Sequence, residues 1–167
     1  MKKNMLIFGG KRFINEIYDE NGYKVSKKKN IISLKKNYEI DNFSKNDLNF
    51  DEIKSAIEVF SSVRNYDLCV IDLSEDSIKN KKSVKDYYNS LKHIIEILYS
   101  KSIKVILVGI QNKVLKKYNA KDYELVLKKL KEEYKTKYIT EYEVNDNDSY
   151  IAKNDFMLKK AIINLGK

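Results

Sequence analysis

Two kinds of hydrophobic spacing alternate along the chain. Residues 67–73 (DLCVIDL) and 103–110 (IKVILVGI) are nearly continuous apolar runs rich in β-branched side chains, the mark of parallel strands covered on both faces. Shorter runs at 4–8 (NMLIF), 38–43 (YEIDNF) and 137–142 (KYITEY) complete five candidate strands. Between them apolar residues recur every three or four positions, which paints one stripe along a helix. Ile53, Ala56, Ile57 and Phe60 do so in 51–62, and Val84, Tyr87, Tyr88, Leu91, Ile94, Ile95 and Leu98 in 83–99. Two more stripes lie in 122–134 (Tyr123, Val126, Leu127, Leu130, Tyr134) and 155–165 (Leu158, Ala161, Ile162, Leu165). A shorter helix is predicted from Lys11 to about Glu20, closing near Asn21-Gly22 as a C-cap. The stretch 23–37 fits either an extra strand at 30–34 or a basic surface loop. Strands alternating with helices predict a doubly wound α/β sandwich with a mainly parallel sheet.

Ligands bind such sheets beyond the carboxyl ends of the strands. That edge collects four corners: GGKRF (9–13), NFSKND (42–47), LSEDS (73–77) and GIQNK (109–113). No internal repeat, linker or composition break divides the chain, so residues 1–167 are read as a single domain.

Composition narrows the class without naming the chemistry. Hydrophobic residues at 43% and charged residues at 34% argue against disorder. The longest apolar runs are too short to span a bilayer, and MLIF after MKK is too short for the apolar part of a signal peptide. A single cysteine, Cys69, excludes an internal disulfide and fits a reducing compartment, so a cytoplasmic location is expected. The net charge of +9 comes from 33 basic against 24 acidic residues. Six lysines fall in 24–36 and eleven in 101–137, the second set interleaved with Asp and Glu. With no RNP, zinc or helix-turn-helix pattern, specific nucleic-acid binding is argued against.

In chain order the corners resemble the sequence blocks of the SGNH/GDSL hydrolases, which are esterases and lipases. LIFGGK stands where the family has an apolar strand and Gly-Asp-Ser. YEIDNFSKN (38–46) resembles YEVVNxSxxG, and DLCVIDLSEDS (67–77) resembles a strand ending Gly-x-Asn-Asp. YYNSLKHIIEILYSKSIKVILVGI (87–110) is the most family-like segment, and NDNDSYIAKNDFMLKKAIINL (145–165) stands in place of the closing Asp-x-x-His and helix. The resemblance implies a flavodoxin-like three-layer α/β/α sandwich with a five-stranded sheet.

Residue by residue it implies a dismantled active site. The nucleophilic serine maps to Lys11, and the oxyanion glycine of the second block to Asn46. The oxyanion asparagine of the third block maps to Asp76, whose ionised carboxylate accepts hydrogen bonds and does not donate them. Asp146 or Asp148 stands for the triad acid, and no histidine accompanies it. His93, the only histidine, sits roughly 160° around its predicted helix from the apolar stripe, facing solvent. A Ser-His-Asp mechanism is therefore missing its base. The expected cleft comprises Gly9, Gly10, Lys11, Asn46, Ser74, Asp76, Asp146 and Asp148. A Lys11–Asp76 salt bridge would plug it, and a small-molecule, glycan or acyl ligand, or a partner, would occupy it, with no cofactor and no metal.

Other constellations compete. GGKRFI followed by GYKV resembles the opening of nucleotide-sugar epimerases, so a Rossmann-type nucleotide site at Gly9-Gly10 is the alternative. Asn15 replaces its third glycine, and no acidic residue follows YKVS. A further alternative is an active esterase with a non-standard nucleophile, pairing Lys11 with Ser44 or Ser74. Asp72, Glu75 and Asp76 with Asp146 and Asp148 could hold a hard cation, but solvated loop carboxylates are the simpler reading.

Overall fold

In the computed structural model, residues 1–10, 13, 36–139 and 162 are described, together with the backbone of 16–18 and 24–27. Five strands make one sheet: β1 (Lys3–Gly9), β4 (Tyr38–Asn42), β5 (Leu68–Asp72), β6 (Lys104–Val108) and β7 (Lys137–Ile139). Their order is β4-β1-β5-β6-β7, and every neighbouring pair is parallel. Counted along the chain this is 2-1-3-4-5, the flavodoxin-like arrangement. All five strands coincide with predicted ones, within a residue or two at their ends and with 140–142 outside the described residues.

Successive residues of the central strands point to opposite faces, and both faces are apolar. Leu6, Phe8, Cys69, Ile71, Val105 and Leu107 pack with α1 (Phe50–Val63), α3 (Val84–Ser100) and α5 (Lys121–Tyr134). Met5, Ile7, Leu68, Val70, Ile106 and Val108 pack with Phe13 and Ile162 on the other side. This double coverage is why the strands read as continuous apolar runs. Ile162 is helical and fully buried; the rest of the predicted 155–165 helix lies outside the described residues.

Two of the long helices start at side-chain caps. Asn49 and Glu52 form a reciprocal capping box at α1, and Ser83 caps α3 through the Asp86 N–H. Two short helices were not predicted, α2 (Ser74–Lys79) and α4 (Asn112–Tyr118). Each is about two turns or less, too short for an apolar stripe to repeat.

One prediction is overturned. No helix runs from Lys11 to Glu20: β2 (Glu16–Tyr18) pairs antiparallel with β3 (Lys24–Lys27), Ile17 opposite Ser26. An Asn-Gly pair signals a hairpin as readily as a helix C-cap, and Ile17, Tyr18, Tyr23 and Val25 favour extended backbone. Residues 28–35, which hold the alternative strand at 30–34, lie outside the described residues.

Candidate functional site

Strand β1 lies between β4 and β5, so the chain leaves it toward opposite halves of the sheet. The crevice of such a topology opens beyond the carboxyl ends of β1 and β5, where Gly9 is in register with Asp72. Backbone bonds close the first corner. Gly10 N–H donates to the Asp72 carbonyl at 3.1 Å, Lys45 N–H to that of Gly9 at 3.1 Å, and Phe13 N–H to that of Gly10 at 3.0 Å. The Asn42 amide donates to the Phe13 carbonyl at 2.8 Å.

Each glycine answers to a particular neighbour. A Cβ on Gly9 would stand 2.8 Å from the Phe13 ring, and one on Gly10 would stand 3.1 Å from Asp76 Oδ2. The first glycine makes room for a core side chain and the second for a carboxylate.

That carboxylate is the centre of the site. Asp76 Oδ2 accepts the backbone N–H of Asp47 at 3.2 Å. Asp47 Oδ1 in turn accepts the Asn80 amide at 3.2 Å, and Asn80 N–H returns to the Asp76 carbonyl at 2.9 Å. The three residues clasp the β4–α1 connection to α2. Burial pushes the Asp76 carboxyl above its usual range; the charges of Asp47 and Glu75 add to this, while the Asp47 N–H and Lys79 oppose it. Lys79 itself is held by Glu75 at 2.7 Å.

The residue missed by the sequence reading is Asp47. Asn46 and Asp47 are both exposed and share one turn, but it is Asp47 that has φ 54°, the left-handed region that glycine favours, and its N–H donates to Asp76. The signal was present: from Asn42, the spacing N-x-S-x-x-G ends at position 47.

The structure thus brings Gly9, Gly10, Asp47 and Asp76 together and engages the serine hydroxyls with other partners. Ser74 is buried, its hydroxyl 2.6 Å from that of Tyr87, and Ser77 donates to the Leu73 carbonyl at 3.0 Å. Ser44 donates to Asn42 Oδ1 at 2.5 Å. Cys69 lies fully buried in β5, where burial pushes its thiol far up, and His93 is exposed on α3. Lys11, Asp146 and Asp148 lie outside the described residues, and with them the Lys11–Asp76 salt bridge. Among the described residues no group of three or more His, Cys, Asp or Glu is placed to hold a metal ion, and no helix is long and apolar enough to cross a membrane.

Beside the clasp an open hollow of about 400 Å³ runs toward the start of α1 and the middle of α3, a volume within the usual range of small-ligand sites. Asp47, Asp76, Ser77, Asn80, Lys82 and Ser90 are among its walls. Lys82 Nζ stands 4.9 Å over the centre of the Phe50 ring.

The sequence matches no protein-family model and no curated protein. Solved structures share its architecture over nearly the full length. TesA superposes with a TM-score of 0.71 at 13% identity, covering 99% of this chain and 98% of its own. A lipase/acylhydrolase from Enterococcus faecalis gives 0.69 at 13%, covering 96% and 94%. AlinE4, an SGNH-hydrolase family esterase, gives 0.63 at 17%, covering 98% and 96%. At such identities the likeness establishes the fold, that of the SGNH/GDSL hydrolases.

Proposed function

We propose that this chain, built on the SGNH hydrolase fold, has no esterase activity and uses the former active-site cleft to bind a ligand or partner. One observation carries the reading: the Asp47 N–H points at an aspartate carboxylate. In an ester hydrolase of this fold, a backbone N–H at that corner and a side-chain amide would jointly hold the oxyanion. Here the N–H donates to Asp76, and Asp76 offers negative charge to any oxyanion that approached. The sequence adds lysine at the nucleophile position and no histidine in the last block.

Two features disfavour the nucleotide alternative at Gly9-Gly10. A phosphate loop presents free backbone N–H groups, but the Gly10 N–H is engaged by the Asp72 carbonyl. Gly9 is explained by the approach of Phe13. The relocated-nucleophile alternative loses its serines, Ser74 to Tyr87 and Ser44 to Asn42.

Hydrolysis of p-nitrophenyl acetate and butyrate tests the proposal. The expected rate equals that of buffer with any folded protein of similar lysine content, unchanged by Asp76→Asn. Turnover at ordinary enzymatic rates, about 1 s⁻¹ or faster, abolished by one cleft substitution, would refute it.

A further inference from the structure

The lysines of this chain are not electrostatically equivalent. In the second half of α5 and at its C-cap, four lysines are paired with three glutamates: Lys128 with Glu124 at 3.5 Å, Lys129 with Glu133 at 3.7 Å, Lys131 with Glu132 at 3.4 Å, and Lys135 with the same Glu132 at 4.0 Å. Lys113, Lys116, Lys117 and Lys121, on α4 and at the start of α5, are exposed and make no ion pair among the described residues. Residues 97–121 contain no Asp or Glu at all; Asp122 is the first.

The fold extends this patch. Helix α4 packs against α2, Lys79 lies within electrostatic reach of Tyr118, and the Tyr123 hydroxyl donates to the Lys82 carbonyl. The turn carrying exposed Lys81 therefore joins the same side of the molecule. Tyr118 is 37% exposed, with Lys117 Nζ 5.3 Å from its ring centre.

We infer that this surface binds single-stranded nucleic acid without sequence preference, through Lys81, Lys113, Lys116, Lys117 and Lys121, with Tyr118 as a base-stacking platform. Unpaired lysines attract phosphates as point charges and read no sequence. An exposed ring flanked by lysines adds a stacking face that unpaired bases can use and duplex bases cannot. A membrane is the poorer partner, because the exposed aliphatic side chains that would insert, Val59, Val63 and Leu125, stand on α1 and mid-α5. The inference does not depend on the reading of the cleft.

Fluorescence anisotropy with a labelled 20-nucleotide oligothymidylate tests it. Neutralising about four phosphates on a single strand gives a salt slope near −3, so affinity should fall roughly fiftyfold between 50 and 200 mM salt. The triple variant Lys113→Gln/Lys116→Gln/Lys117→Gln should weaken binding at least tenfold and flatten the slope by about 2. The control Lys128→Gln/Lys129→Gln/Lys131→Gln removes the same net charge and should change affinity less than about threefold. Tyr118→Leu should weaken binding about fivefold or more, while Tyr118→Phe keeps the stacking face and the affinity. Circular dichroism confirms that each variant is folded. No binding at 50 mM salt overturns the inference, as do equal losses in the two triple variants, indifference to Tyr118→Leu, or tighter binding to a 20-base-pair duplex or to phosphatidylserine vesicles.

Discussion

Each end of the β1–β5 pair carries an aspartate that accepts a backbone N–H, and the two are built differently. At the amino end Asp67 Oδ2 takes the Asn4 N–H at 2.7 Å, while the Asn4 amide reaches the Asn65 carbonyl at 2.8 Å. Asp67 is exposed, and its bond staples two strand starts together in water. At the carboxyl end Asp76 takes the Asp47 N–H in a half-buried crevice, over a glycine and beside two more carboxylates. A staple needs only an acceptor. Placing a charge where burial and neighbouring charges both oppose it exceeds what staple duty requires, and such sites are candidates for function.

Three substitutions test that contrast, from the largest effect to the smallest. Gly9→Ala forces a methyl group against the Phe13 ring; overpacking of this kind costs about 1–3 kcal/mol. Urea denaturation should show the loss, and Phe13→Leu in the same chain should return part of it. A Gly9→Ala variant as stable as the parent would mean that Phe13 does not set the shape of the cleft corner.

Asp67→Ala removes the exposed staple and should cost about 1 kcal/mol, or roughly 2–4 °C in Tm for a chain of this size.

Asp76→Asn should act in the opposite direction. Its pKa is raised in the folded protein, so the folded chain holds this proton more readily than the unfolded chain. Ionisation therefore lowers stability as pH rises from the ordinary carboxylate range through the raised value. The asparagine keeps an acceptor for the Asp47 N–H and removes the charge. Tm at pH 7 should rise slightly, and the difference should close at acid pH below the unfolded pKa. A drop at pH 7 would make Asp76 another staple and end the contrast.

The sheet was legible because Leu68–Asp72 and Lys104–Val108 are buried on both faces, so their apolar runs are continuous. The long helices were legible because Ile53 with Ile57, and Leu91 with Ile94 and Ile95, repeat over several turns. Helices α2 and α4 are too short for repetition. The 11–20 prediction failed because an Asn-Gly pair in a sequence is a signal of a helix end and of a hairpin alike. At the site, Asp76 was reached through the pattern of the third block. Asp47 was missed because the pattern was counted one residue short, ending on Asn46. The serines looked available only because a one-dimensional reading cannot see Tyr87 above Ser74.

The strand order also dictates how the sheet can grow as the chain is made. Strand β1 emerges first yet sits second in the sheet, so its partners arrive only with residues 38–42 and 68–72. Beyond β5 the order of strands in the sheet follows the order of the chain: β6 lies on β5 and β7 on β6, each after its own helices. Parallel pairing of distant segments is slow, because loop closure precedes the contacts that reward it. Until Leu68–Asp72 is made, Met5, Leu6, Ile7 and Phe8 lack the β5 neighbour they pair with in the folded sheet, and unpaired apolar strands of this kind are prone to aggregate.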